Sequence, residues 1–183
     1  MLFNTVSRSM HDVGLAAWFG GTLANAVALN PAAAEAGNSR AAGAVANAGW
    51  DRWTPVNAAA IGAHLIGSVG QLVSNSDRLA AQQGVATMSL VKTGVTAAAL
   101  AATGYSRMLG RKVSQQHAVP AADGTTPTSE TPSDVAAAQK QLTALQWAIP
   151  ALTGALVVIS AFAGEQQRPG NVLSGLTRRL GAA

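Results

Sequence analysis

Four long apolar stretches limit what this chain can fold into: residues 13–29, 55–73, 85–105 and 144–164. Lys92 is the only charged residue inside any of them, and none contains an Asp or Glu. About 20 predominantly apolar residues carry a helix across the ~30 Å hydrocarbon core of a bilayer. The last stretch, with Val157, Val158, Ile159 and Phe162, is the strongest candidate. The second and third rely on Ala and Gly, which contribute little transfer energy. A soluble Ala-rich bundle would give each helix one charged face, and these stretches have none. The expectation is an all-α, four-helix transmembrane bundle forming a single integral-membrane domain over residues 1–183.

Composition narrows what such a bundle can do. Charged residues make up 11% of the chain, against about a quarter in a typical soluble domain. There is no Cys, which removes disulfides and thiolate metal sites together. The net charge of +4 is scattered as single Arg and Lys residues. Nucleic-acid binders gather theirs on one face, so no nucleic-acid partner is expected, and the lipid bilayer is. Arg8, the apolar run after it and the small residues around Glu35 also fit a signal peptide. The helix-like sequence and further spans that follow favour a retained first span.

Turn and cap residues divide the chain further. Thr54-Pro55 reads as an N-cap before a proline at the first helical position. Asn30-Pro31 reads the same way and predicts a separate extramembrane Ala-rich helix over residues 32–48. Ser74-Asn75-Ser76-Asp77 predicts a tight turn, making the second and third spans an antiparallel hairpin. Thr131-Pro132-Ser133-Asp134 reads as a capping box that starts a helix running from Ser133 to about Gly164. That helix would be roughly 45 Å long and bent at Pro150. Residues 113–133, rich in Ser, Thr, Pro and Gly, predict a mobile extramembrane loop. Residues 171–180 place Val172, Leu173, Leu176 and Leu180 on one helical face with Arg178 and Arg179 off it. This is either a C-terminal interfacial helix or a frayed end. Trp50 and Trp53 before the second span, and Tyr105 closing the third, suit an aromatic belt. Basic residues divide five against six between the two sides; the cluster from Arg107 to Lys112 favours a cytoplasmic third loop.

Polar residues inside the stretches recur every seven positions. They are Asn57, His64 and Gln71 in the second, Ser89, Thr96 and Thr103 in the third, and Gln146, Thr153 and Ser160 in the fourth. In the first, His11, Trp18 and Asn25 share the spacing. Such residues keep to one stripe of a left-handed packed helix. The stripe is either an interhelical seam, where polar side chains turn from lipid and hydrogen-bond to neighbouring helices, or the lining of a polar pathway. Ser and Thr also bond to their own backbone, so part of the regularity carries no message. Lys92 shares a face with Ser89 and Thr96. Holding an ammonium there costs roughly 2.5–3.5 kcal/mol on insertion scales. It is neutral, or solvated by the polar stripe, or paired with a carboxylate of another protein. His64 reads first as a neutral, hydrogen-bonded seam residue. The candidate functional seam is Lys92, His64, Asn57, Gln71, Ser89 and Thr96. Ala16, Gly20, Ala24 and Ala28 add a surface of small residues that admits a close helix.

Catalytic motifs are missing. The sequence has no Gly-x-Ser-x-Gly elbow, P-loop, dinucleotide glycine pattern or His-Glu-x-x-His. Paired carboxylates are absent from the stretches. His11 lies at the start of the first span and His117 in the expected loop, so a three-His metal site with His64 is not expected. No catalytic residue, cofactor or metal is expected. In its Ala, Gly, Val and Arg usage, its lack of Cys and its short multi-span plan, the chain resembles uncharacterised small multi-span membrane proteins of high-GC actinobacteria. That resemblance implies a multi-pass protein of a bacterial plasma membrane and assigns no activity. The functional expectation is a non-catalytic accessory or scaffold subunit of a membrane complex, with a partner membrane protein or a second copy. The alternative is a small carrier or channel with a polar pathway past Lys92 and His64.

Overall fold

The computed structural model describes residues 2–76, 83–115 and 119–166. Its helices are α1 (Leu2–Ala24), α2 (Asn30–Ala33), α3 (Ser39–Ser74), α4 (Gln83–Ser114) and α5 (Ser133–Gln166). A π turn, Asn25–Leu29, fuses α1 to α2, and a 3₁₀ turn, Ala34–Ala36, ends that first rod. Three rods are long and apolar enough to cross a membrane: Leu2–Ala36, Ser39–Ser74 and Ser133–Gly164. The expected third span, residues 85–105, lies in α4 and is not among them. It carries Lys92 and is rich in Thr, Ala and Gly.

The π turn has a local cause. Pro31 has no N–H, and its ring conflicts with the carbonyl four residues earlier, here Val27 inside the π turn. One extra residue per turn relieves that conflict, and the N–H of Asn30 reaches back to the carbonyl of Asn25. The inward face shifts with it. Thr22 is buried before the turn, Asn25 and Ala26 within it, and Asn30 and Ala33 after it. Asn30 therefore points inward, and Leu29 lies against Gly49 of α3.

Two sequence expectations change here. Asn30-Pro31 does not start a separate helix over 32–48. The chain reverses at Gly37, whose φ of 87° suits glycine. Asn38 then caps α3, its side chain accepting the Ala41 N–H at 2.9 Å. Pro55 likewise does not begin a helix but lies inside α3. Thr54 donates to the Trp50 carbonyl at 2.8 Å, one residue before the Asp51 carbonyl that Pro55 leaves without its helical N–H. α5 starts at Ser133 as the capping residues indicate, with Val135 and Ala136 N–H groups both donating to the Pro132 carbonyl.

The rods run alternately up and down. α1 and α3 pack antiparallel along their length: a Cβ on Gly14 would overlap the Ala60 carbonyl and His64 backbone, and one on Gly67 would overlap Ser7 and His11. α4 and α5 pair antiparallel, with Tyr105 donating to Gln141 and Lys112 3.2 Å from Asp134. Phe19 of α1 lies against Gly154 of α5. The fourth side, α3 against α4, has the sparsest contact, although the sequence suggested a hairpin there. One core cluster comprises Leu15, Trp18, Ala60, Ala99 and Leu156. A second, near the α4–α5 connection, comprises Leu109, Val113, Val119, Val135 and Ala138. Bulky apolar side chains including Phe3, Ile66, Val69, Leu90, Val158 and Phe162 face outward.

The segment expected as a mobile loop is fastened down over residues 119–132. Asp123 accepts from the N–H groups of Thr125 and Thr126 at 2.7 and 2.8 Å. Ala121 N–H donates to the Ser39 carbonyl and Gly124 N–H to the Asn30 carbonyl, each at 3.0 Å. Val119, Ala121, Thr125 and Thr131 are buried. Composition misleads here because a short Asx-type turn and two backbone bonds to the bundle replace the apolar bulk the segment lacks. The expected interfacial helix over 171–180 lies outside the described residues.

Candidate functional site

The six candidate seam residues do not form one site. They separate into two levels along the bundle, and each level recruits residues that the sequence reading left aside.

The first level is a histidine pair. His64 is fully buried between α3 and α1, and its ring centroid lies 4.5 Å from that of His11 and 6.1 Å from that of Trp18. The glycines at 14 and 67 make this possible, because they let the two backbones close until the imidazoles meet. His64 Nδ1 lies 3.3 Å from the His11 carbonyl, and His11 Nδ1 lies 2.7 Å from an Asp12 carboxylate oxygen. The Nε2 atoms of both rings are buried with no partner. Lys92 is half-buried and within electrostatic reach of Asp12, Arg8 and both imidazoles. Arg8 stands 3.9 Å from Asp12.

Lys92 therefore has an acid of its own chain within electrostatic range, though not in ion-pair contact with it. Asp12 sits one residue outside the first apolar stretch, which is why counting charges within stretches missed it. The spacing of His11 seven residues before Trp18 was the available signal. Thr96 spends its hydroxyl on the Lys92 carbonyl at 2.8 Å. Ser89 is half-buried. Gln71 has a buried, unpartnered amide nitrogen near the end of α3.

The second level is a cavity of about 300 Å³ between α3 and α4, two turns from His64 toward the α4–α5 connection. Trp50, Trp53, Asn57 and Ile61 line it from α3, and Thr103 and Arg107 from α4. Its walls are mostly apolar, and no Asp or Glu is among its lining residues. Three polar atoms here are buried without a partner: Trp53 Nε1, Asn57 Oδ1 and Arg107 Nε. An unsatisfied buried donor or acceptor costs about 1–3 kcal/mol, and these three lie sealed within the walls of the cavity. Arg107 is tied on its outer side to Asp51 at 3.3 Å.

Below the cavity, Trp18 Nε1 donates to Thr103 at 3.2 Å. Beside it, Asn30 is the bundle's principal cross-link. Its Nδ2 donates to Gln146 at 2.7 Å, and its Oδ1 accepts from Trp50 Nε1 at 3.0 Å. The two tryptophans read as belt residues thus serve different ends: Trp50 fixes Asn30, and Trp53 lies across Gly21 at the cavity wall.

Among the described residues no three of His, Asp and Glu converge as metal ligands. No family model, curated protein or solved structure matches the chain.

Proposed function

We propose that this chain is a four-span protein of a bacterial plasma membrane that works without catalysis, as an accessory or scaffold subunit receiving a partner helix on the outer face of α1. The observation that carries this reading is the division of small residues on α1. Gly14 and Gly21 face inward and set the contact with α3. Ala16, Gly20, Ala24 and Ala28 are all exposed, and a Cβ on Gly20 would meet nothing. Among the described residues this second stripe stays exposed. Small residues at four-residue spacing let helix backbones approach closely in lipid.

Connectivity supports reading α4 as the fourth span. α3 ends and α5 begins at opposite ends of the bundle, so α4 traverses the same depth as the three more apolar rods. Bulky apolar side chains outside and polar ones inside suit a lipid surround.

The test is native sizing after mild detergent extraction, with Gly20→Leu beside the native chain. The native chain should run as a complex or a homo-oligomer and the variant as a monomer. A native monomer with nothing bound overturns the reading.

A second reading, a small carrier, is favoured by the paired imidazoles with unpartnered Nε2 atoms, within electrostatic range of Lys92. Reconstituted protein should then pass a flux that Lys92→Leu and His64→Leu abolish. Flux no greater than that of empty liposomes excludes it.

A further inference from the structure

The cavity between α3 and α4 belongs to neither reading above. We propose that it is a binding site for a small, neutral hydrophobic molecule of about ten carbons.

Its volume sets the size. Pockets for small organic molecules begin at ~300 Å³ and are mostly apolar. An apolar cavity of ~150 Å³ stays dry and takes up benzene. This one is about 300 Å³ with mostly apolar walls, so it has room for a molecule roughly twice as large.

The walls decide the charge. Arg107 is the only charged residue among those lining the cavity. Its guanidinium is held by Asp51 at 3.3 Å, and its Nε is sealed in the wall. An anion finds a cation already paired, and a cation finds no acid. An unpaired ion in apolar surroundings is strongly disfavoured, which leaves a neutral ligand.

Most neutral polar groups of the wall are committed as well. Trp50 Nε1 donates to Asn30, and the Thr22 and Thr54 hydroxyls donate to carbonyls of their own helices. Thr103 and Gln146 accept from Trp18 and Asn30. Trp53 Nε1 and Asn57 Oδ1 are sealed. Asn47 and Ser106 add only an amide and a hydroxyl. The surface left to a ligand is ring and hydrocarbon, from Trp50, Trp53, Ile61, Leu100, Leu142 and Ile149.

Ala58 and Gly104 line the cavity and are also exposed. They place its mouth between α3 and α4, where those helices touch least. On the four-span reading this mouth opens toward the bilayer, where neutral hydrophobic molecules collect. A phospholipid acyl chain outgrows the volume, so the occupant is a free molecule.

The experiment uses the full chain carrying Trp147→Phe, which removes the outward-facing indole, in phosphatidylcholine nanodiscs. Bromine quenches tryptophan fluorescence at contact, so 1-bromoadamantane, a neutral hydrocarbon cage, reports its arrival at Trp50 and Trp53. Quenching should saturate. Gly104→Leu and Gly110→Leu each send a side chain into cavity space, since a Cβ at either position meets no atom. In both, saturable quenching should disappear while helix content and melting temperature hold. The anion 3-bromoadamantane-1-carboxylate should bind more weakly by roughly tenfold or more. Equal quenching in the native chain and both leucine variants shows partition into lipid alone and overturns the site. Binding of the carboxylate as tight as the neutral cage overturns the neutral assignment. Phosphatidylcholine brominated on its acyl chains supplies the last arm. Stronger quenching by that lipid in the native chain than in Gly104→Leu, unrelieved by plain adamantane, shows a resident lipid tail and overturns the free ligand.

Discussion

α3 meets its neighbours in two opposite ways. Toward α1 it closes until no side chain fits, with Gly67 on Ser7 and His11. Toward α4 it stands off and leaves a cavity, with Gly104 and Gly110 facing space that a Cβ would not fill. Both faces contain glycine, so glycine alone does not bring helices together. The α1 side is tight because small residues face each other across it: Gly14 meets Ala60, and Gly67 meets Ser7. On the α4 side Trp50 and Trp53 line the same cavity as those glycines, Trp53 braced across Gly21 and Trp50 held by the Asn30 cross-link. The tight face presses two histidines together, and the loose face strands three polar atoms around a void.

This contrast breaks most easily at its tight side. Gly67→Ala puts a methyl into the α1 backbone, and overpacking with no flexible neighbour to yield should cost about 3 kcal/mol. Thermal unfolding in detergent should show a large loss of stability; an unchanged midpoint would mean that α1 and α3 do not pack as described. Asn30→Ala comes next. It leaves Gln146 and Trp50 without their partner, an expected loss of about 1–3 kcal/mol. The Trp50 emission should shift as its indole N–H is released, and the same emission in the variant would remove Asn30 from the loose side's scaffold. The smallest effect is Gly104→Ala. With nothing in its way, it should stabilise α4 by about 0.5–1 kcal/mol through helix propensity. Opposite signs at positions 67 and 104 would establish the two faces; a shared sign would erase the distinction.

The sequence carries the helical class, the start of α5 and the inward course of His11, Trp18 and Asn25, because periodicity and capping report them directly. It misplaces the first reversal. Asn-Pro presents the same letters whether asparagine caps a helix or sits in a π-turned one, and only the pairing with Gln146 and Trp50 distinguishes the cases. Gly37-Asn38 also signals a turn, yet it lies within the Ala-rich run that looked helical throughout. The site is less legible still. Lys92 appears isolated because Asp12 is 80 residues away in the chain, and the cavity depends on a gap between helices that no spacing rule encodes. Heptad spacing groups Asn57 with His64, but in the folded chain one lines the void and the other the imidazole contact.

α4 differs from its neighbours in one further respect. Between Lys92 and Arg107 it has 14 uncharged residues, against 22 between Asp12 and Glu35 on the first rod and 24 between Lys140 and Glu165 on α5. At helical rise these runs are about 21, 33 and 36 Å. In a bilayer of ~30 Å core, α1 and α5 are matched and α4 is short. Shortfall is met by local thinning and by long cationic side chains reaching for headgroups. On the four-span reading proposed above, the shortfall puts a dent in the membrane collar on one flank, drawing water and phosphates inward toward Lys92 and Arg107. Arg107 of that flank lines the cavity.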